Sequence, residues 1–393
     1  MNQQEKKIMG VTTSSHSLVH LYEGVLPPLI PLLIGVFGTN YFHLGLVVTV
    51  FSYAFGLGSL PAGFLGDKVG SRRLITFYLF GSGILSVLIF PVGSLLTYGI
   101  IMGVIGLFCS TYHPASNTLI SHAIRERGKA FGIHGIAGSL GVAIVPVLSA
   151  WIGSAMGWKA PHIIFGFLGI GVGFYSLTIP RQPVTKIDSG VIKGSEMSSG
   201  RVSYLNLVIF FSSAITLGLT YKGIMTFLPA YMGQNVHVSF IKLDAIALGG
   251  SIATIALLSG AAGQYLAGRL VDLYRPERLY LGAIVIGTLS VFSMAMVSDV
   301  FLVVSAIIFA FFFFSTQPIQ NYLLSIYLPK HRQGLGYGIH FFLTFGVGST
   351  AAAVSGYLAD HFGLSAVFYA MGICFILSSF LAFLLLIRTR VRK

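Results

Sequence analysis

Gly63-Phe64-Leu65-Gly66-Asp67-Lys68-Val69-Gly70-Ser71-Arg72-Arg73 sits between two strongly apolar runs. A short charged turn flanked by hydrophobic segments is what a chain needs where it leaves one membrane crossing and enters the next. One acid, Asp67, stands among three bases, Lys68, Arg72 and Arg73, where lipid ends. Gly63 lets helices approach closely, and Gly70 allows a turn with positive φ.

On both sides of this turn the apolar character continues. The 393 residues are 55% hydrophobic and only 9% charged, with a mean hydropathy of +0.85. A spanning helix needs about 20 apolar residues, and such runs recur along nearly the whole chain, which reads as an all-α integral membrane protein without a soluble domain. The formal net charge of +13 would suit a nucleic-acid partner, but the bases are not spread as a binding surface would need. Seven groups hold 21 of the 24 Lys and Arg: Lys6, Lys7; Lys68, Arg72, Arg73; Arg125, Arg127, Lys129; Arg181, Lys186, Lys193, Arg201; Arg269, Arg275, Arg278; Lys330, Arg332; and Arg388, Arg390, Arg392, Lys393. If the chain crosses twelve times, all seven fall on one side. The positive-inside rule makes that side cytoplasmic, with both termini there, in the plasma (inner) membrane, and leaves no case for nucleic acid.

Cys109 and Cys374 both lie in apolar segments, so no disulfide framework or metal-type cysteine spacing is expected. The first apolar run carries His20 and Glu23 and no small-residue cleavage pattern, so it is expected to stay as a spanning helix.

The expected spans run from about Ser17 to Phe37, Leu44 to Gly66, Leu74 to Val92, Leu95 to Ser121, Ala130 to Ile152 and Pro161 to Ile179. After a polar cytoplasmic linker at 181–203 they resume at Tyr204 to Met232, Asp244 to Leu266, Leu279 to Val297, Val300 to Leu328, Leu335 to Leu358 and Leu364 to Ile387. Residues 1–15 read as polar and frayed. Pro27, Pro28 and Pro31 should kink span 1, and Gly132, Gly135, Gly138 and Gly141 leave a smooth strip on span 5 for a packed neighbour.

An internal repeat supports this layout. Gly63 and Gly268 differ by 205 positions, Pro114 and Pro318 by 204, and His134 and His340 by 206. The chain therefore divides into six-helix halves, 1–180 and 204–393. Because six is even, the halves are parallel repeats about an axis along the membrane normal, as in secondary transporters that rock around a midplane site.

With these residues in order, the chain resembles the major facilitator superfamily. Gly63, Asp67, Lys68, Gly70, Arg72 and Arg73 match that family's first signature turn, and the turn from Gly268 to Arg278, with Asp272, is similar to its degraded copy. The Tyr112-His113-Pro114-Ala115-Ser116-Asn117 run of span 4 is similar to a run in the fosmidomycin-resistance branch, a group of proton-driven exporters. There is no Lys or Arg between Leu74 and His113, so the arginine usual in span 4 of drug antiporters is absent. The resemblance implies that Asp67 faces the amino end of span 11 and clips the halves shut on the cytoplasmic side.

A charge at the bilayer centre costs about 2.5–3.5 kcal/mol on insertion scales, so it marks a cavity or a partner. Glu23 lies three residues after His20 on one helical face, and the pair either loads and releases a proton or simply bonds a neighbouring helix. Lys222 either fixes an anionic substrate, neutralises Glu23 when the cavity is empty, or snorkels to water. His113 and Asn117 share a face of span 4, and Gln317, Gln320 and Asn321 are their counterparts on span 10, a candidate substrate-binding set beside two helix-breaking prolines. His134 and His340 lie early in spans 5 and 11, where gating or packing suits them better than substrate contact.

The leading expectation is alternating-access, proton-coupled export of a small compound or drug, with anions among the candidates. The alternative is proton-coupled uptake of an organic anion or other small nutrient. The partners implied are a small-molecule substrate, a proton and the lipid bilayer, with the chain a monomer. No cofactor, no metal cluster and no nucleophile-and-base arrangement of an enzyme is visible.

Overall fold

The computed structural model describes residues 1–180, 204–238, 242–328 and 333–390. The expected linker at 181–203, together with the surroundings of Gly63 and the side chain of Asp67, falls outside that description. Fifteen α-helical segments among the described residues make twelve passes. The first half comprises α1 (Gln3–Gly24), α2 (Ile30–Phe37), α3 (Tyr41–Val69), α4 (Ser71–Val87), α5 (Leu95–Cys109), α6 (Tyr112–Ala123), α7 (Arg127–Met156) and α8 (Lys159–Ser176). The second comprises α9 (Tyr204–Asn235), α10 (Ala245–Leu270), α11 (Pro276–Met296), α12 (Asp299–Tyr327), α13 (Gln333–Phe341), α14 (Thr350–Phe362) and α15 (Leu364–Arg390). Ten of the passes are long and apolar enough by themselves to cross a membrane.

Span 1 corrects the expectation of a frayed amino terminus. Helix α1 already begins at Gln3 because Asn2 and Glu5 form a reciprocal capping box. The Asn2 side chain accepts from Glu5 N at 2.9 Å and Glu5 accepts from Asn2 N at 2.7 Å. The second Glu5 oxygen accepts from Arg125 N at 3.0 Å, which ties the start of α1 to the turn before α7. Three buried tyrosines hold the rest of the span, each matching its one donor to a carbonyl. Tyr78 donates to Ser15, Tyr112 to Thr12 and Tyr22 to Phe165.

The prolines act unequally. Pro27 and Pro28 lack the N–H groups that Glu23 and Gly24 carbonyls would otherwise receive, and a 3₁₀ turn over Pro27–Leu29 separates α1 from α2. Span 4 breaks between Cys109 and Tyr112, just before Pro114, whereas Pro318 lies inside an uninterrupted α12. Span 11 is irregular without a proline. A π-helical turn over Phe342–Gly346 and a 3₁₀ turn over Val347–Ser349 separate α13 from α14. There Gly348 meets the Gly218 backbone at 2.6 Å from where a methyl would sit, so regular side chains would not fit.

The opening turn keeps the geometry its glycine predicts, with Gly70 at φ 92° between α3 and α4. The strip of glycines on α7 is used only in part. Gly138 and Gly141 abut His16 and Ser17 of α1, while Gly132 and Gly135 have open space beside them.

The halves meet along α3 with α14 and α7 with α10. Polar contacts between them gather toward the face opposite the start of α1. Tyr41 N and Phe42 N, at the start of α3, each donate to the Asp360 carboxylate at 2.9 Å. Ser154 donates to Asp244 at 3.0 Å and Trp151 to Ser251 at 2.9 Å. Nearer the other face, Ser139 donates to Gln264 at 2.7 Å.

Candidate functional site

Where the prolines end α1, Glu23 occupies its last turn and faces the second half. Lys222, in the middle of α9, donates to one carboxylate oxygen of Glu23, and His20 Nδ1 lies 3.1 Å from the other. The Lys222 side chain is 5% exposed and that of Glu23 10%, so the lysine does not reach for water at a membrane face. Each partner removes the reason the other would be excluded from an apolar span. The Lys222 ammonium also lies 5.7 Å from the Tyr221 ring centre and 6.0 Å from that of Phe345.

The pair forms part of the wall of a narrow cavity of about 60 Å³, with His20, Tyr221, Met225 and Thr226 among the other lining residues and prolines from α7 and α9 completing it. Its lining joins apolar walls to a few placed polar groups, the make-up of small-molecule sites.

Beside the pair, four histidines gather on the first half. His16 stacks on His134 with ring centres 4.1 Å apart, and lies 5.2 Å from His20 and 5.1 Å from His113. The hydrogen bonds assign the tautomers. His16 Nδ1 is 2.7 Å from the His134 carbonyl, which can only accept, so that nitrogen carries the proton. Tyr112 spends its one proton on Thr12, so His134 Nε2 donates to the tyrosine oxygen at 2.8 Å. His20 Nδ1 donates to Glu23, and its Nε2 makes no hydrogen bond among the described residues.

The structure thus brings together Glu23, His20, Lys222 and His113, whose ring centre is 5.9 Å from that of His20. It does not bring the remaining polar candidates to this cavity. Asn117 and Asn321 are exposed, Gln317 accepts from Gln264 at 2.6 Å, and Gln320 is buried within the second half, donating to Tyr280 at 3.1 Å. Of the gating candidates, His134 joins the histidine group and His340 stacks on Phe210 at 5.6 Å, its buried Nε2 having no partner among the described residues. Arg72 donates to the Leu177 carbonyl at 2.7 Å and to that of Ser176 at 3.4 Å, both in the same half. Lys68, Arg73 and Asp272 are exposed.

Sequence reasoning missed His16, Tyr221 and Gln264. His16 stands one turn before His20 and was legible by that spacing once α1 is known to extend to Gln3. Gln264 carried no signal, because its role as acceptor from Ser139 and donor to Gln317 depends on three different helices.

Residues 12–353 match the family model described as Major Facilitator Superfamily. The chain is 26% identical over 252 residues to a probable L-galactonate transporter of Escherichia coli (strain K12), a match spanning 60% of this chain and about half, 54%, of that protein. It is 23% identical over 364 residues to the D-galactonate transporter of Escherichia coli O6:H1 (strain CFT073), covering 84% of this chain and 83% of that one. In fold it is similar to the crystal structure of a mutant of the nucleoside transporter NupG, with a TM-score of 0.80 at 15% identity over 98% of this chain and 100% of that one.

Proposed function

The chain belongs to the Major Facilitator Superfamily and is a multi-pass membrane transporter, not an enzyme; from that premise we propose that it carries a small organic anion together with a proton. The observation that carries this reading is the ion pair between Glu23 and Lys222 on the cavity wall. A substrate carboxylate that reaches Lys222 must displace Glu23. The displaced carboxylate would then be a second anion in the same low-dielectric space, and a proton on it removes the cost. Anion and proton load together, and the cavity holds the same net charge empty or full.

His20 is the immediate neighbour through which Glu23 exchanges that proton. The likeness of the Tyr112 to Asn117 run to the fosmidomycin-resistance branch enters through His113, beside His20. Two relatives are named for galactonates, which supports a hydroxylated carboxylic acid as the substrate class. Joint loading favours symport, hence uptake under an inward proton gradient; export by proton exchange would instead need proton and anion to compete. The distribution of basic groups supports a cytoplasmic position for the face where α1 begins, with the chain acting as a monomer in the inner membrane.

The test is accumulation of labelled galactonate in proteoliposomes, acidic outside and neutral inside. The gradient should drive accumulation by the unaltered protein. Glu23→Gln should bind without accumulating, and Lys222→Met should do neither. Accumulation indifferent to the pH gradient, or full transport by Lys222→Met, overturns the reading.

A further inference from the structure

We propose that His16, His20 and His113 form a binding site for a divalent transition-metal ion of the zinc class. One ligand-capable ring nitrogen from each of the three lies within 4.8 Å of the other two. In a tetrahedral zinc site with metal–nitrogen bonds of about 2.0–2.1 Å, the ligand nitrogens stand roughly 3.4 Å apart. The half-buried rings therefore close by up to about 1.4 Å to coordinate.

What separates this group from a chance cluster is how two of the rings are held. A metal-binding histidine typically donates its other ring nitrogen to a carboxylate or backbone carbonyl, which fixes the tautomer and the ring plane. His20 does this to Glu23 at 3.1 Å, and His16 to the His134 carbonyl at 2.7 Å. In both, Nε2 makes no hydrogen bond among the described residues. The rings come from two helices, α1 and α6, and His16 is stacked on His134 of α7. Three imidazoles without a thiolate suit Zn²⁺, Co²⁺, Ni²⁺ or Cu²⁺ rather than the oxygen-seeking Mg²⁺ or Ca²⁺. Three protein ligands leave a fourth position for water or an oxygen ligand. This site shares His20 and its partner Glu23 with the anion reading but does not require that reading.

The experiment uses the full chain, purified with any affinity tag removed. Zn²⁺ is titrated by calorimetry, and Co²⁺ is used for its visible absorption. One ion per chain and tetrahedral Co²⁺ bands are expected. His16→Gln and His113→Gln should each weaken binding at least tenfold, and Glu23→Gln, which removes the carboxylate partner of His20 along with the ion pair to Lys222, should weaken it by about tenfold. The control His361→Gln, at an exposed position, should change nothing. Unchanged affinity in both His16→Gln and His113→Gln, or equal loss in the control, overturns the site. Should those variants fail to fold, histidine modification by diethyl pyrocarbonate in the unaltered protein decides instead. Zn²⁺ should protect His16, His20 and His113, and absence of protection there overturns the proposal.

Discussion

Glu23 of span 1 and Lys222 of span 7 stand 199 residues apart in the chain and form an ion pair across the two halves. Neither charge is compensated by its own helix: α1 contributes only the neighbouring His20, and α9 holds no acidic residue. The pair is therefore both a structural bond between the halves and a charged feature of the cavity wall.

Removing one partner leaves the other buried and unpaired. Lys222→Met should lower stability by up to about 3–5 kcal/mol, the range for breaking a buried pair. The double variant Glu23→Gln with Lys222→Met removes both charges and should recover most of that loss. Thermal unfolding of the detergent-purified proteins checks this; a double variant no more stable than Lys222→Met would show that the two side chains are not energetically coupled.

Helix α7 offers a test of close packing with its own internal control. A methyl at Gly141 would sit 2.8 Å from Ser17 Cα and its carbonyl oxygen, and backbone atoms cannot move aside as a flexible side chain does. Gly141→Val should cost about 1–3 kcal/mol through overpacking. Gly132 has no atom within 4 Å of the same position, so Gly132→Ala should stay within about 0.5 kcal/mol of the parent. Equal unfolding midpoints for the two variants would refute the assignment of the strip to α1.

Asp360 fastens the halves at the face opposite the start of α1. Its carboxylate accepts from Tyr41 N and Phe42 N, capping α3 from another helix and meeting the positive end of its dipole. Asp360→Ala should weaken this closure by about 1–2 kcal/mol, roughly a five- to thirtyfold shift toward a cavity open on that face. The measurement is the rate at which a membrane-impermeant thiol reagent, added from that face, labels Met225→Cys in a background lacking Cys109 and Cys374. An unchanged rate would mean that Asp360 only caps its helix.

Much of this molecule was written locally. Apolar runs of about 20 residues need no partner to be recognised, because a lipid-embedded backbone must satisfy its own hydrogen bonds. The helices, the charged turn at Gly70 and the break at Pro27 follow from the chemistry of neighbouring residues. Even the capping box of Asn2 and Glu5 is a local pattern, although composition made the segment look frayed.

The candidate site was legible only one residue at a time. Glu23, His20, Lys222 and His113 stood out because charge and imidazole are expensive in apolar spans. Gln317 and Gln320 looked equivalent by the same criterion, yet one bonds Gln264 and the other Tyr280. Sequence alone set the twelve passes and the short list of costly polar groups, since each of these depends on residues within a turn or two of one another. Tertiary structure decided that Lys222 neutralises Glu23, that His16 and His113 stand beside His20, and that Asp360 caps α3, because partnership is set by the rotation and depth of helices far apart in the chain.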